Sequence, residues 1–424
     1  MADTYSTQSG QSQRNRDSAS FRGTSLAGPS DVRAAVPPVN REETTEDIDA
    51  SGTFSAWPGS LRKFRLLVFA GLVKNAGKTT AFNAVNRYFA REVREAPGIT
   101  SFGYDGEERD ALYDVPKPPV QAYSGQLLLT AASFLGQRQE AGVLSGEAGK
   151  AFEILESWGD HPQYGPWLIV RCLRDVSLHL AGPSSLPELA RGMKRLEALG
   201  AGRIHLDGAL GRLTHLSLPS AGVILSTGAA LGNSLQEVVE RTRRVLEYFR
   251  LPVAGARELG SGVFPGLSPG NGQDAAESAL SAGTPRGGSA YREGERWHDL
   301  PGFLWAKDLR ALLPQGYDQL YVAGALTDRL YHELRKAERL PGTILLDHPG
   351  QILLSAQVWQ GLKARGISVS LSRWPNLVCL TLSSWHPRTP IPTTELAAAL
   401  RSHSHVPLVD VAKELIWPPG FEPQ

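Results

Sequence analysis

The sequence predicts an α/β protein: a P-loop NTPase-like parallel sheet with helices on both faces, followed by a second, smaller α/β segment. Three observations predict it. Phe64-Arg65-Leu66-Leu67-Val68-Phe69-Ala70 is a nearly continuous apolar run, the pattern of a strand buried on both faces. It ends in Gly71-Leu72-Val73-Lys74-Asn75-Ala76-Gly77-Lys78-Thr79-Thr80, a glycine-bounded turn that opens into helical spacing. Strand-like and helix-like stretches then alternate along the chain.

Residues 1–60 are rich in Ser, Thr, Gly, Arg and acids and poor in large apolar side chains. Such a stretch buries too little surface to offset its ordering entropy and is expected to be a disordered tail. Residues 61–260 form the expected nucleotide-binding domain. After the first strand, Ala81 to Glu95 places Phe82, Val85, Tyr88, Phe89 and Val93 near helical spacing. Leu127 to Leu135 reads as a helix, Trp167–Leu173 as a strand, Leu186–Leu199 as a helix, and Arg203–Asp207 and Ala221–Ser226 as strands. A helix is expected from Ser234 to Phe249. Residues 261–298 are dense in Gly, Ser and Pro and read as a flexible linker or insertion. Residues 299–424 read as a C-terminal α/β domain, with strands at 319–324, 343–347, 367–371, 377–382 and 406–411 and a helix from Thr327 to Ala337.

The turn at 71–80 fits the chemistry of a phosphate cradle. The template G-x-x-x-x-G-K-[ST] asks for a glycine at position 72, where Leu72 stands, and Gly71 lies one residue earlier. Its second half, Gly77-Lys78-Thr79, is intact. A triphosphate needs convergent backbone N–H donors, and a loop wrapped onto a helix N-terminus supplies them. Gly71, Lys74, Asn75, Ala76, Gly77, Lys78, Thr79 and Thr80 are the candidate phosphate contacts. Lys78 would reach the β- and γ-phosphates, the Thr79 hydroxyl would ligate Mg²⁺, and Thr80 would contact the α-phosphate.

Such a site also needs carboxylates. Asp207 ends the strand Arg203-Ile204-His205-Leu206, at the edge where open α/β sheets bind ligands, and is the candidate metal-orienting acid. Asp105, with Glu107 as the alternative, follows the strand after the first helix and would approach magnesium or activate water. Thr227 and Gly228 follow the strand at 221–226 and would line the base or phosphate pocket. No Asn-Lys-x-Asp guanine motif follows a strand end, which favours ATP over GTP. Asp328, Asp347, His348 and His386 in the C-terminal segment read as surface or capping residues, and Trp374 and Trp385 as packing residues.

The string from Gly71 to Thr80 resembles the corresponding loop of the KamB-type subunit of lysine 5,6-aminomutase reactivase. The resemblance continues at Thr100-Ser101-Phe102-Gly103-Tyr104-Asp105-Gly106-Glu107, Lys117-Pro118, Leu206-Asp207-Gly208-Ala209 and Ser226-Thr227-Gly228-Ala229. It extends to Gly324-Ala325-Leu326-Thr327-Asp328 and His386-Pro387 with Pro390. It implies an ATP-dependent accessory protein that reactivates or remodels an aminomutase using cobalamin and pyridoxal phosphate. The implied protein partners are the aminomutase and a MutS-like ATPase subunit. The loop itself would equally serve a stand-alone small-molecule kinase or ATP-dependent ligase, or a nucleotide-gated binding protein with little turnover.

Composition bounds the alternatives. The chain has 424 residues, a formal net charge of +1 and 41% apolar residues. That charge offers no bulk attraction to nucleic acid or an acidic membrane. Its two cysteines, Cys172 and Cys379, cannot build a zinc site by themselves and fit a reducing cytoplasm. No apolar run approaches the roughly 18 residues of a membrane span, and the N-terminus lacks a signal-peptide core. A cytoplasmic protein is expected, with a homodimer left open.

Overall fold

The computed structural model describes residues 57–103, 118–135, 150–161, 164–208, 221–254, 288–294, 296–300, 312–336, 340–373 and 376–420. The fold is mixed α/β, organised on one large mixed sheet and one smaller one. In chain order the first part comprises β1 (Leu66–Gly71), α1 (Lys78–Arg87), β2 (Gly98–Phe102), β3 (Val120–Ala122), β4 (Leu127–Ala131), β5 (Phe152–His161), β6 (Gly165–Cys172), β7 (Val176–Leu178), α2 (Leu186–Ala198), β8 (Ile204–Gly208), β9 (Gly222–Gly228) and α3 (Leu235–Tyr248). The middle part holds β10 (Ala290–Glu293), β11 (Arg296–Asp299), β12 (Gln319–Tyr321), β13 (Leu326–Thr327), α4 (Asp328–Leu334), β14 (Thr343–Leu346), β15 (Ile352–Leu353), α5 (Ala356–Ala364) and β16 (Ser368–Leu371). The chain ends with β17 (Asn376–Ser383), α6 (Thr393–Arg401), β18 (Leu408–Asp410) and β19 (Leu415–Trp417).

The ten-stranded sheet runs β19-β18-β17-β9-β1-β8-β2-β4-β6-β5. Strands β18, β17, β9, β1, β8, β2 and β4 are mutually parallel, while β19, β6 and β5 pair antiparallel at the two ends. The strict parallel sheet of the sequence reading is thus bounded by antiparallel edges. Alternation along β1 explains the two-sided burial. Leu67 and Phe69 pack with Phe82, Val85 and Phe89 beneath α1, while Val68 and Ala70 join the core under α2, α3 and α6. Helices cover both faces, as the apolar run of β1 requires.

Local chemistry sets the helix starts. The side chain of Ser185 accepts from Glu188 N–H at the start of α2, and that of Ser234 accepts from Glu237 N–H at the start of α3. Helix α1 begins at Lys78, earlier than the expected Ala81, and passes into a π-helical turn at Tyr88–Val93.

Several expectations are corrected. Leu127–Leu135 is not a helix: Leu127–Ala131 is strand β4, inside the large sheet between β2 and β6, followed by one 3-10 turn. Leu128 faces one core and Leu127 and Leu129 the other, so the apolar run lacks the alternation that separates strand from helix. The tail reading overruns by a few residues: Trp57–Ser60 form a helical turn, and Trp57 is buried in the core beneath α1. The linker reading also overruns, because Ala290–Glu293 and Arg296–Asp299 form an antiparallel hairpin at the edge of the smaller sheet. Its Tyr291 and Trp297 pack inward and account for the pairing.

The smaller sheet runs β11-β10-β12-β14-β16, with β12, β14 and β16 parallel. It interrupts the larger one: the chain leaves after α3, builds this sheet, and returns as β17 beside β9. Strands at 377–382 and 406–411, which the sequence groups with the C-terminal segment, therefore belong to the sheet that carries β1. The junction is packed. Tyr248 of α3 meets Trp359 of α5 edge-on at 4.9 Å, and Lys363 reaches Glu247 at 2.5 Å. Among the described residues no helix is long and apolar enough to cross a membrane.

Candidate functional site

Because β17, β9, β1, β8 and β2 are parallel, their C-terminal ends share one edge of the sheet. Register places Phe69 beside Asp207, Asp207 beside Ser101, Gly71 beside Ser226, and Gly228 beside Ser383. The turn from Gly71 to Gly77 crosses this edge.

Its backbone follows from its residues. Leu72 N–H donates to Ser226 O at 2.9 Å, anchoring the chain to β9 as it leaves β1. Leu72 and Val73 pack their side chains against the core on the α2/α3 side. A Cβ on Gly71 would lie 3.3 Å from Val73 O and 3.7 Å from Lys78 Cβ, so the turn folds back closely over that position. This accounts for a glycine at 71 and tolerates Leu72. Asn75 (φ 62°) and Gly77 (φ 86°, ψ 11°) are left-handed, residue types that accept that conformation. Left-handed residues alternating with right-handed ones make anion-binding concavities of successive N–H groups. Gly77 is the N-cap of α1, whose first-turn amides have no intrahelical acceptor.

Lys78 Nζ stands 2.6 Å from Asp207 Oδ1 and donates to Gly208 O at 2.5 Å. The two side chains are only 20% and 15% exposed. Charge at close range therefore holds this pair. Thr79 is half-buried and Thr80 exposed on the first turn of α1. Lys74, Asn75 and Ala76 lie in the turn itself. The structure thus brings Gly71, Lys74 to Thr80 and Asp207 together.

Other candidates divide. Gly228 is at the shared edge, but the Thr227 hydroxyl is buried and paired with Thr242 Oγ1 of α3 at 2.8 Å, on the sheet face away from α1. Thr227 therefore ties β9 to α3, and its side chain does not join the loop. Asp105 and Glu107, with Tyr104, lie outside the described residues, as do Ala209 to Arg212 and Trp374. Among the described residues no cluster of three His, Cys, Asp or Glu side chains could hold a metal ion. In the smaller sheet, Asp347 accepts from Tyr321 Oη at 2.9 Å and Ser372 Oγ at 2.7 Å. Burial raises its carboxyl, opposed by these two hydrogen bonds and by Arg373. Asp328 Oδ1 accepts from Ser355 N–H at 2.8 Å, a structural role.

One neighbour of the loop escaped the sequence reading. A Cβ on Gly77 would lie 3.3 Å from Ser383 Cβ, so the last residue of β17 stands against the loop. The turn therefore spans from β17 to β8, two strands on one side of β1 and one on the other. Gly228 makes this approach feasible. Its φ of 170° suits any residue, but an added methyl would run into the Ser383 carbonyl oxygen and stand 2.8 Å from Ser383 Cβ. Gly228→Ala is expected to force β9 and β17 apart and to lower stability by roughly 1–3 kcal/mol. Urea denaturation measures this; an unchanged midpoint would show that the edge has room.

Beneath the site lies a buried polar network. His205, two residues before Asp207 on the same face of β8, is fully buried among Phe69, Phe82 and Phe89, with ring centroids 6.0, 6.2 and 5.3 Å away. Asn86 of α1 donates from Nδ2 to Gln121 O at 2.8 Å, which fixes its Oδ1 as an acceptor. That oxygen accepts from Gln126 Nε2 at 2.8 Å and lies 3.2 Å from His205 Nδ1. The imidazole proton therefore resides on Nδ1. Burial first, and the Arg203 guanidinium second, push His205 down to about 3. The network pins α1 to β8 directly behind Lys78 and Asp207.

Compared with protein-family models, with curated proteins and with solved structures, the chain matches none of them.

Proposed function

We propose that this chain is a P-loop NTPase-like protein that binds ATP with Mg²⁺ through Gly71–Thr80. One observation carries the reading: Lys78 follows a left-handed glycine at the start of α1, and its ammonium is paired with Asp207 at the end of the adjacent parallel strand. This arrangement puts a cation, a helix N-terminus and a carboxylate on one sheet edge, the complement of a metal-bound polyphosphate. The residues fit the group. Asp207 Oδ1 is held by the Lys78 ammonium, and once that ammonium turns to phosphate the carboxylate oxygen would accept from a metal-bound water. Lys78 would exchange its carboxylate for phosphate oxygens, and the Thr79 hydroxyl would face the metal. When bound, Mg²⁺ would neutralise phosphate charge and hold it for displacement. Asp105 or Glu107 would orient the attacking water.

Beyond nucleotide binding, the resemblance to the KamB-type subunit supports a role as an ATPase accessory protein. It would reactivate or remodel a cobalamin-dependent aminomutase or related enzyme, with that enzyme or a MutS-like subunit as partner. Slow hydrolysis alone, stimulated by such a partner, is the kinetic signature of that role.

Calorimetry with the full chain tests the reading. Mg·ATP is expected to bind, Mg·GTP more weakly, and chelation of Mg²⁺ to reduce ATP affinity about tenfold or more in wild type. Asp207→Asn is expected to abolish most of that magnesium dependence. No heat with either nucleotide would refute the proposed site.

A further inference from the structure

The junction between the two sheets holds a cleft apart from the strand-end loop. Its volume is about 470 Å³, within the range of small-molecule sites. Three elements line it. Helix α3 and its exit contribute Arg243, Glu247 and Arg250, spaced by four and three residues as one helical face requires. Helix α5 contributes Gln360 and Lys363, and the turn after α6 contributes Ser402 and His403. Helix α3 has 14 residues and starts near the strand ends that carry the loop, so its far end lies on the order of 20 Å from them. Two of the cations are engaged. Lys363 meets Glu247 at 2.5 Å, and Arg243 meets Glu240 at 2.9 Å. These four side chains are 27% to 50% exposed, and ion pairs this wet contribute little, so their partners are exchangeable. The helix ends do not need these side chains as caps. Phe249 N–H and Arg250 N–H donate to Val245 O and Glu247 O, Gly366 N–H to Lys363 O, and His403 N–H to Leu400 O. Backbone donors thus close the last turns of α3, α5 and α6.

We infer that this cleft binds a phosphate monoester carried on a small hydroxylated molecule, at a site separate from the nucleotide loop and independent of the reading made for it. Three cations on its walls, Arg243, Arg250 and Lys363, stand against the one carboxylate of Glu247. Guanidinium groups meet phosphate oxygens with paired N–H donors, and a lysine adds a compact charge. A phosphate arriving between α3 and α5 would draw Lys363 away from Glu247 and share Arg243 with Glu240. The exchange is favoured because a phosphate dianion carries more charge than either carboxylate. Glu247 would then accept from ligand hydroxyls, while Gln360 and Ser402 can both donate and accept. Among the described residues Leu251 is the one apolar side chain on the walls, so an acyl chain or an aromatic base would bury little surface here.

Glycerol 3-phosphate carries both the phosphate and the hydroxyls, and inorganic phosphate lacks the polyol. Calorimetry on the full chain should show saturable binding of glycerol 3-phosphate to wild type at millimolar concentration or below, with inorganic phosphate weaker by about fivefold or more. Replacing two cations together, Arg250→Gln with Lys363→Gln, should weaken glycerol 3-phosphate by about tenfold or more. Gln360→Glu removes no cation and adds a carboxylate to the wall, and it should weaken binding by a similar factor through repulsion alone. All three positions are exposed, and circular dichroism reports whether each variant is folded; should the double variant unfold, Gln360→Glu decides. Lys78→Ala, at the distant loop, should leave the constant within about twofold of wild type. No binding to wild type, or an unchanged constant in the folded cleft variants, would overturn the cleft site and leave the loop reading untouched. Loss of binding in Lys78→Ala with the cleft variants unaltered would place the phosphate in the loop and overturn the cleft equally. Equal affinity for the two ligands would overturn the hydroxylated class.

Discussion

Lys78→Ala is expected to lower Mg·ATP affinity well over tenfold and any ATP hydrolysis by roughly 10²–10³-fold, with the fold intact. The magnitude follows from what the ammonium would do: it is a fixed cation aimed at charge that grows on the phosphates, and loss of one preorganised partner typically has an effect of that size. The fold is expected to survive for a structural reason. Lys78 and Asp207 retain 20% and 15% exposure, so water reaches the carboxylate left behind. The stability loss should stay near 1–2 kcal/mol, below what breaking a dry pair produces. Circular dichroism and a thermal midpoint report the fold; calorimetry and phosphate release report the site. Hydrolysis that persists unchanged in a folded Lys78→Ala protein would show that Lys78 takes no part in the chemistry.

The near side of this site is legible in the sequence because its signals are local. An apolar run, a glycine, a Gly-Lys-Thr turn and a helical pattern occupy one short stretch, and β1, the loop and α1 follow it closely. Asp207 is legible for the same reason, as an acid ending a short apolar strand. The displaced glycine becomes intelligible only with coordinates: closeness of Val73 O and Lys78 Cβ to Gly71 explains its place. The far side is not legible. Ser383 reaches Gly77 only because the chain returns after the whole smaller sheet to pair β17 with β9, and no local pattern encodes that return. Thr227 illustrates the converse limit. Its position at a strand end suggested a pocket residue, yet alternation along β9 turns its hydroxyl to Thr242. Leu127–Leu135 failed for another reason, since a strand buried on both faces and a buried helix share one composition.

The second large effect concerns pH. Acidification from pH 7.5 to 4.5 is expected to destabilise the protein by about 2–3 kcal/mol through His205 alone. In the folded chain the imidazole is held down to about 3, against an ordinary value of 6.5. The unfolded chain therefore takes up a proton as pH falls through 6.5, while the native protein takes none until near 3. More protons on the unfolded state means stability rises with pH across this window and is lost as pH falls through it. Over two units, from 6.5 to 4.5, the loss is about 2–3 kcal/mol at roughly 1.4 kcal/mol per unit. Carboxylates also titrate in this range, so the informative quantity is a difference. His205→Leu keeps an apolar side chain among Phe69, Phe82 and Phe89 and leaves Asn86 Oδ1 still accepting from Gln126. Urea-denaturation free energies of both proteins at pH 7.5 and 4.5 should show a pH-dependent loss smaller by about 2–3 kcal/mol in His205→Leu. Identical losses would mean that the imidazole is protonated in the native protein at pH 4.5.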